Sequence, residues 1–587
     1  MKTFLKMLLA SILGGIILFF IGFIVIASFI SLVDKPPKIE DNSILKLDIN
    51  NVIYERAQDN PFEAFDPLSG QPRSPLGLNK ILASIEHAAE DDQIRGIYIT
   101  GGIPLTGNAT LSEIREALQE FKESGKFVYS YSEIMTQNGY YLASVADSVM
   151  MMPEGYFEWR GLSSTVAYLK EAMNKLGMEP VVLRATDNKY KSAVEPFLRQ
   201  DMSEENRLQI TELLNSLWGD YTEQIGDSRN LETAQLNRVA DSIALSSPKL
   251  AAEQGFIDAA LYKSDVLELL AQKSGKPEIK DVEFVSVDKY SEVNKLVQNE
   301  YGDNRIAVVI AQGDIVSGDA GEYQIGSERI AKAIRAARNN DKVKAIVLRV
   351  NSPGGSAIAS EAIWREVMLA RQDKPVIASM GDVAASGGYY ISCFADTIVA
   401  QPTTVTGSIG AFGLFFTGEE LMNDKLGINL ETVKTNKYSD LGTFDRDITP
   451  AERRILINQV DQVYRTFVER VAEGRGMTYD QVNELGGGRV YSGEAAKELG
   501  LVDVLGGIDD AIEIARQKAG LGEDYDIMEV PRMEDPLKQL IKQMGGDFEE
   551  RLIRKRLGEY ARYFEMLEGA REMEGFQTRM EFDLKIE

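Results

Sequence analysis

Residues 93–99 (QIRGIYI) return 249 positions later as 342–348 (KVKAIVL), and the repetition runs on through the chain. SYSEIMTQNGYYLASVAD at 130–147 lines up with SMGDVAASGGYYISCFAD at 379–396. NKYKSAVEPF at 188–197 meets NKYSDLGTFD at 436–445 after a one-residue slip, and each is followed by a capped, helix-like stretch, DMSEENRLQITELL or DITPAERRILINQV. AAEQGFIDA near 251–259 answers AAKELGLVD near 495–503. A period this long excludes a solenoid and describes two tandem copies of one domain. We place the copies at 45–275 and 304–525, with a connector at 276–303. The 587 residues are too many for one ordinary domain and suit two or three.

Inside each copy, short apolar β-branched runs alternate with helical periodicity. In the second, 306–311 and 345–350 read as buried strands, and 327–339, with Ile330, Ala333, Ile334 and Ala337 at helical spacing, reads as the amphipathic helix between them. Strand–helix–strand alternation predicts an α/β fold. The residues from Pro531 onward, rich in Glu, Arg, Lys and Leu, predict a charged, mainly helical tail over 526–587.

The first 33 residues have a different character. From Met7 to Val33 there is no charged residue, a run of 27 where roughly 20 suffice to cross a bilayer. Lys2 and Lys6 precede it and Asp34 follows, so the positive-inside rule predicts a cytoplasmic N-terminus, one transmembrane helix and the bulk of the chain on the other side. A cleaved signal peptide has a shorter apolar region, about 7–15 residues, so the reading is an uncleaved anchor. A stiff linker over 34–44, opening DKPPK, would carry the chain into the first domain.

Composition narrows the chemistry. Lys and Arg number 64 against 90 Asp and Glu, a net charge of −26, the wrong sign for a phosphate-backbone binder. A single cysteine, Cys393, excludes an intrachain disulfide and any multi-cysteine metal site, and a single histidine, His87, excludes any multi-histidine site. A Ser-His-Asp triad would have to run through His87. That residue lies in NKILASIEHAAED at 79–91, on the polar side of a helix whose apolar face is Ile81, Leu82, Ile85 and Ala89, which is the place of a solvated side chain.

Two segments of the second copy look chemical. NSPGGS at 351–356 follows a strand directly, and its Pro-Gly-Gly turn permits unusual dihedrals and close approach to backbone N–H groups; a plain strand-to-helix turn would look the same. AASGGYY at 384–390 sets Ser386 at the start of an apolar helix, next to N–H groups able to stabilise an oxyanion, although a helix N-cap also explains a lone serine. The duplication separates these readings. The first copy has Gln137 opposite Ser386 and no Pro-Gly-Gly turn, whereas its Lys191 faces Ser439 of the second. Divided roles predict one site assembled between the two domains, with a serine nucleophile and a lysine base that desolvation keeps neutral.

These residues together resemble the signal peptide peptidase A family, also called protease IV, in its long, duplicated form. The resemblance rests on the N-terminal anchor, YKSAVEPF at 190–197 followed by DMS, NSPGGS at 351–356, ASGGYY at 385–390 and TGSIG at 406–410, and covers the chain to about residue 525. It implies two tandem Clp protease/crotonase-like domains, with Ser386 as nucleophile, Lys191 as general base and Ser408 orienting the lysine amine. The oxyanion hole would be the N–H of Gly387 with that of Gly354 or Gly355. No metal or cofactor is implied. The implied substrates are signal-peptide remnants and other hydrophobic peptides, the assembly a homotetramer, and the location a bacterial cytoplasmic membrane with the bulk of the chain outside. Two other readings use the same motifs: a crotonase-like module binding acyl-CoA, which would need neither Ser386 nor Lys191 and would favour a basic surface, and an inactive membrane-anchored scaffold.

Overall fold

The computed structural model describes residues 14, 39–57, 75–245, 247–297, 302–533 and 575–580. The expected anchor at 7–33 therefore falls, apart from residue 14, outside the described residues. Among those described, no helix is long and apolar enough to cross a membrane.

Each repeat builds a sheet from its apolar runs, parallel throughout in the first and parallel in the second except for the edge strand Val490–Ser492, which runs antiparallel to Val405–Gly407. In the first, the strands lie in the order Ala259–Ala260, Ser148–Phe157, Phe127–Met135, Ile94–Thr100, Ser43–Asp48 and Phe284–Ser286. In the second, the order is Val490–Ser492, Val405–Gly407, Val376–Ala385, Val343–Ser352, Arg305–Gln312 and Asp526–Val530, with Thr397–Ala400 and Val504–Leu505 branching from Val376–Ala385. The strands expected at 306–311 and 345–350 lie inside observed strands that pair with each other in parallel, and the helix expected at 327–339 spans Ser327–Asn339. Near-continuous burial along Val343–Ser352 and Val376–Ala385 is what a parallel sheet covered on both faces requires. The two helix-like stretches are also realised alike: Glu204–Arg229 and Pro450–Arg475 are both 26 residues long, capped by Ser203 and Thr449.

Two segments behave differently from expectation. Phe284–Ser286 pairs with Ser43–Asp48 as an edge strand, although it lies in the stretch read as connector. The helical tail expected over 526–587 is corrected at both of its described ends: Asp526–Val530 is the matching edge strand of the second sheet, and Gly575–Arg579 is a strand of a third. The abundant Glu, Arg, Lys and Leu that favoured helix lie mostly in 534–574, outside the described residues, and hid two strands of five residues each.

The third sheet joins the repeats. Its order is Ile325–Gly326, Ile315–Val316, Gly354–Ser356, Gly575–Arg579, Phe412–Thr417 and Glu179–Arg184, the last contributed by the first repeat and antiparallel to Phe412–Thr417. A buried ionic group ties the repeats together farther along. Arg349 donates from Nε to Glu55 at 2.7 Å and from NH2 to Glu113 at 2.5 Å, all three side chains being buried. Burial works against the Arg349 charge, and the two carboxylates more than offset it, holding its pKa above the usual value.

Candidate active site

Strand Val376–Ala385 runs straight into helix Gly387–Ser392, and Ser386 occupies the corner between them. Its backbone has φ 53° and ψ −112°, a conformation that an L-residue holds only under constraint from its surroundings. The constraint is visible: Ser386 N–H donates to Gly407 O at 2.8 Å, and Tyr390 N–H donates to Ser386 O at 2.8 Å. The Ser386 side chain makes no capping hydrogen bond, so the N-cap explanation of this serine fails. In the first repeat Gln137 is the first residue of the matching helix, and its side chain accepts from Arg160 and Gly161 N–H at 2.8 and 2.7 Å, a structural use.

Lys191 reaches Ser386 from the other repeat. After strand Glu179–Arg184 the chain turns across the second domain, where Asn188 Nδ2 donates to Ala411 O at 2.6 Å and Tyr190 N–H donates to Gly487 O at 2.8 Å. The Lys191 amine then lies 3.1 Å from Ser386 Oγ, 2.6 Å from Ser408 Oγ and 3.2 Å from Ser408 O. Lys191, Ser386 and Ser408 are all completely buried. Ser408, like Ser386, has a positive φ (48°), and its N–H donates to Arg489 O at 2.7 Å. The structure thus brings together the three side chains that the sequence singled out.

The Pro-Gly-Gly turn stands beside them. A Cβ on Gly354 would lie 2.8 Å from Gly387 N and a Cβ on Gly387 would lie 3.1 Å from Gly354 Cα, so these two glycines face each other in contact. Gly355 is engaged in the third sheet, opposite Ile315 on one side and Thr578 on the other. Both glycines of the turn have positive φ, 108° and 148°, which only glycine adopts without strain.

His87 lies elsewhere, exposed on helix Leu78–Glu90 with Nδ1 2.8 Å from Tyr290 Oη. Ser439, the residue opposite Lys191 in the duplication, is exposed and donates to Asn436 O. Burial pushes the Cys393 thiol up to about 12, which removes it as a nucleophile at neutral pH.

Several residues that shape the site were not singled out from sequence. A Cβ on Gly488 would sit 2.6 Å from the Lys191 N, Cα and Cβ atoms, and one on Gly410 would sit 3.1 Å from Lys191 Cδ. The tri-glycine run at 486–488 was the available signal. Gln209 Nε2 donates to Ser192 Oγ at 2.9 Å and to Tyr190 O at 3.3 Å, holding both neighbours of Lys191. Ser352 Oγ donates to Gly313 O at 2.6 Å and accepts from Gly354 N–H at 3.2 Å.

Comparison with known proteins finds the same duplication. The model of Peptidase family S49 matches residues 120–276 and again 368–522, and that of Clp protease matches 299–405. The chain is 33% identical over 489 residues to "Serine protease SPPA, chloroplastic" of Arabidopsis thaliana, covering 82% of this chain and 72% of that protein. It is 33% identical over 528 residues to "Protease 4" of Haemophilus influenzae, covering 86% and 84%. With "Protease 4" of Salmonella typhi the identity is 35% over 457 residues, covering 76% and 72%. With two S49 matches set in tandem and relatives this similar over most of their length, the chain belongs to peptidase family S49, in the duplicated form of signal peptide peptidase A, and is a serine protease.

Proposed function

We propose that this protein is a membrane-anchored endopeptidase working through a Ser386–Lys191 dyad shared between its two repeats. The observation that carries the reading is the 3.1 Å approach of the Lys191 amine to Ser386 Oγ inside a fully buried site. Burial disfavours an ammonium ion, and a neutral amine at this distance can take the hydroxyl proton as Oγ attacks a peptide carbonyl. Ser408, hydrogen-bonded to the same amine, fixes its direction. The oxyanion would be held by the N–H of Gly387 with one from the Pro-Gly-Gly turn, that of Gly354 or of Gly355. The leaving amine collects the proton from Lys191, and a water activated by the same lysine then hydrolyses the acyl-enzyme on Ser386. No cofactor enters this sequence.

The substrates would be hydrophobic peptides, among them the remnants of cleaved signal peptides, which the family resemblance implies. An apolar stretch at 7–33 would hold the enzyme in the bacterial cytoplasmic membrane beside them, with the catalytic domains on the extracytoplasmic side. Assembly as a homotetramer is the family's arrangement and belongs to the same proposal.

The test is hydrolysis of a fluorogenic apolar peptide by the wild type, Ser386→Ala and Lys191→Ala, with circular dichroism and size-exclusion profiles compared. Wild-type cleavage with both variants at background supports the dyad. Activity retained by a folded Lys191→Ala would place the base elsewhere.

A further inference from the structure

Strand Val376–Ala385 does not run evenly to Ser386. Its pairing with Val343–Ser352 jumps from Val350 opposite Met380 to Ser352 opposite Ala384, so Asn351 alone faces Gly381, Asp382 and Val383. A bulge bends its strand and re-aims the residues that follow. Here those residues build the site. Val383, Ala384 and Ala385 pair with Val405, Thr406 and Gly407, and the next residue of each run is Ser386 or Ser408. The register of this short ladder sets the two serines side by side at the Lys191 amine, and a slip of one residue would turn them to opposite faces.

The bulge is held by groups from outside the ladder. Asn351 Oδ1 accepts from Val383 N–H at 3.2 Å, and Asn351 Nδ2 donates to Glu55 Oε1 of the first repeat at 2.9 Å. Asp382 reaches the first repeat directly. Its Oδ1 accepts from Thr110 N–H and its Oδ2 from Thr110 Oγ1, both at 2.8 Å. Thr110 is the third residue of helix Asn108–Glu123, and its N–H is one that an N-cap side chain ordinarily satisfies. That helix starts after Gly107, which has no side chain to offer, and a Cβ there would collide with the Asp382 carboxyl group. The second copy shows the ordinary arrangement. At the offset of 249 residues Ser356 stands where Gly107 stands, and it accepts from Ala359 N–H at the start of its own helix, Ala357–Asp373. The helix of the first copy takes its cap from the nucleophile strand of the second, and a carboxylate also suits the positive end of a helix dipole.

We propose that Asp382 is a positioning residue: by capping helix Asn108–Glu123 across the repeat boundary it holds the bulge, and so ties the alignment of Ser386 and Ser408 to the same seating of the first repeat that delivers Lys191. The proposal rests on the dyad reading above. Asn351 braces the other side of the bulge through Glu55. Docking of the repeats then supplies the base and sets the nucleophile in one event, and a second repeat without its partner carries a serine that is both unassisted and misaligned.

The experiment compares the full chain with Asp382→Ala, Asp382→Asn, Thr110→Val and the pair Asp382→Ala/Thr110→Val. KM and kcat are measured on a fluorogenic apolar peptide, labelling of Ser386 by a fluorophosphonate probe is timed, and urea midpoints are recorded. In Asp382→Ala, kcat should fall roughly 10–100-fold with KM little changed, the cost of a small displacement at a reacting group, and probe labelling should slow in step. Asp382→Asn keeps an acceptor for Thr110 N–H and should recover most of the loss. Thr110→Val should fall between them, and the pair should be no slower than Asp382→Ala alone, because both changes act through one contact. A folded Asp382→Ala with a lower urea midpoint but wild-type kcat and labelling has lost only a structural cap, and that result overturns the proposal. Losses that add in the pair overturn it as well. If Asp382→Ala does not fold, Thr110→Val and Asp382→Asn decide: wild-type kcat in Thr110→Val, or no activity in a folded Asp382→Asn, is then the overturning result. The two readings fail separately. Lys191→Ala active while Asp382→Ala is impaired removes the dyad alone, and Lys191→Ala inactive while Asp382→Ala matches the wild type removes the positioning role alone.

Discussion

Lys191 Nζ stands 3.1 Å from Ser386 Oγ across 195 residues of sequence, and the two side chains come from different copies of the duplicated domain. Neither repeat holds both groups, so the reactive arrangement exists only when the Lys191 loop of the first is seated on the second. That dependence makes the surroundings of the lysine as testable as the lysine itself.

Lys191→Arg puts a guanidinium that stays charged near neutral pH where the mechanism needs a neutral amine able to accept a proton. It is expected to fall to background with Lys191→Ala. Ser408→Ala leaves the dyad in place but removes the 2.6 Å hydrogen bond that aims the amine. We expect its kcat to fall by roughly 10–100-fold with KM little changed, since the lost interaction acts on chemistry and not on substrate. A Ser408→Ala enzyme with wild-type kcat would remove this residue from the mechanism.

Gly488→Ala should be more damaging than a methyl group usually is. Its φ is +87°, and the added carbon would lie 2.6 Å from three Lys191 atoms, so the lysine loop must move. A displacement near 1 Å at a reacting group costs about 100-fold in rate. Gly410→Ala, 3.1 Å from Lys191 Cδ, should cost less. Both variants are to be assayed on the apolar peptide with folding checked by circular dichroism. Equal, wild-type rates would show that the loop has slack the structure does not reveal.

Arg349→Met tests the join between the repeats. It leaves Glu55 and Glu113 buried without the cation that compensates them, a loss of about 3–5 kcal/mol. Urea unfolding should show a clearly lower midpoint. Because Arg349 lies two residues before the 351–356 segment, activity should also fall before global unfolding begins. A midpoint within error of the wild type would contradict this account of the interface.

Acidic residues from both repeats converge beside that join, where Glu113, Glu116, Glu120, Asp509, Asp510 and Glu513 line a cavity of about 260 Å³. Crowding in this cavity partly desolvates Glu116 and raises its pKa, although the side chain still meets solvent; the hydrogen bond from Gln401 opposes the shift, and Asp510 and Glu120 add repulsion. Asp509, also open to solvent, is raised in the same way by partial desolvation, with Glu86 and Glu120 contributing. A carboxyl whose pKa is higher in the folded state binds its proton more tightly there. Its contribution to stability is full below the unfolded value near 4 and is lost as pH rises through the raised folded value, and solvent screening at these exposed side chains keeps that contribution small. The melting temperature should therefore be higher near pH 5 than near pH 8, and Glu116→Gln with Asp509→Asn should flatten the difference. A melting temperature that rises across that interval in the wild type would refute the sign.

Much of this was legible because repetition and rare residues are properties of the chain itself. The offset of 249 residues, one histidine and one cysteine, and the exchange of Ser386 for Gln137 and of Lys191 for Ser439 between copies were enough to predict an α/β pair with a shared Ser-Lys site. Those signals are local or periodic, and backbone propensity and side-chain chemistry express them at the residues concerned. Tertiary structure decided what depends on the meeting of distant segments. The tri-glycine run at 486–488 matters because Lys191 is pressed against Gly488, and Arg349 because Glu55 and Glu113 arrive from the other repeat. Gly575–Arg579 is a strand only because two unpaired edges supply its hydrogen bonds. Such short segments carry almost no conformational preference of their own, so the free energy that orders them comes from the partner, which the sequence does not place beside them.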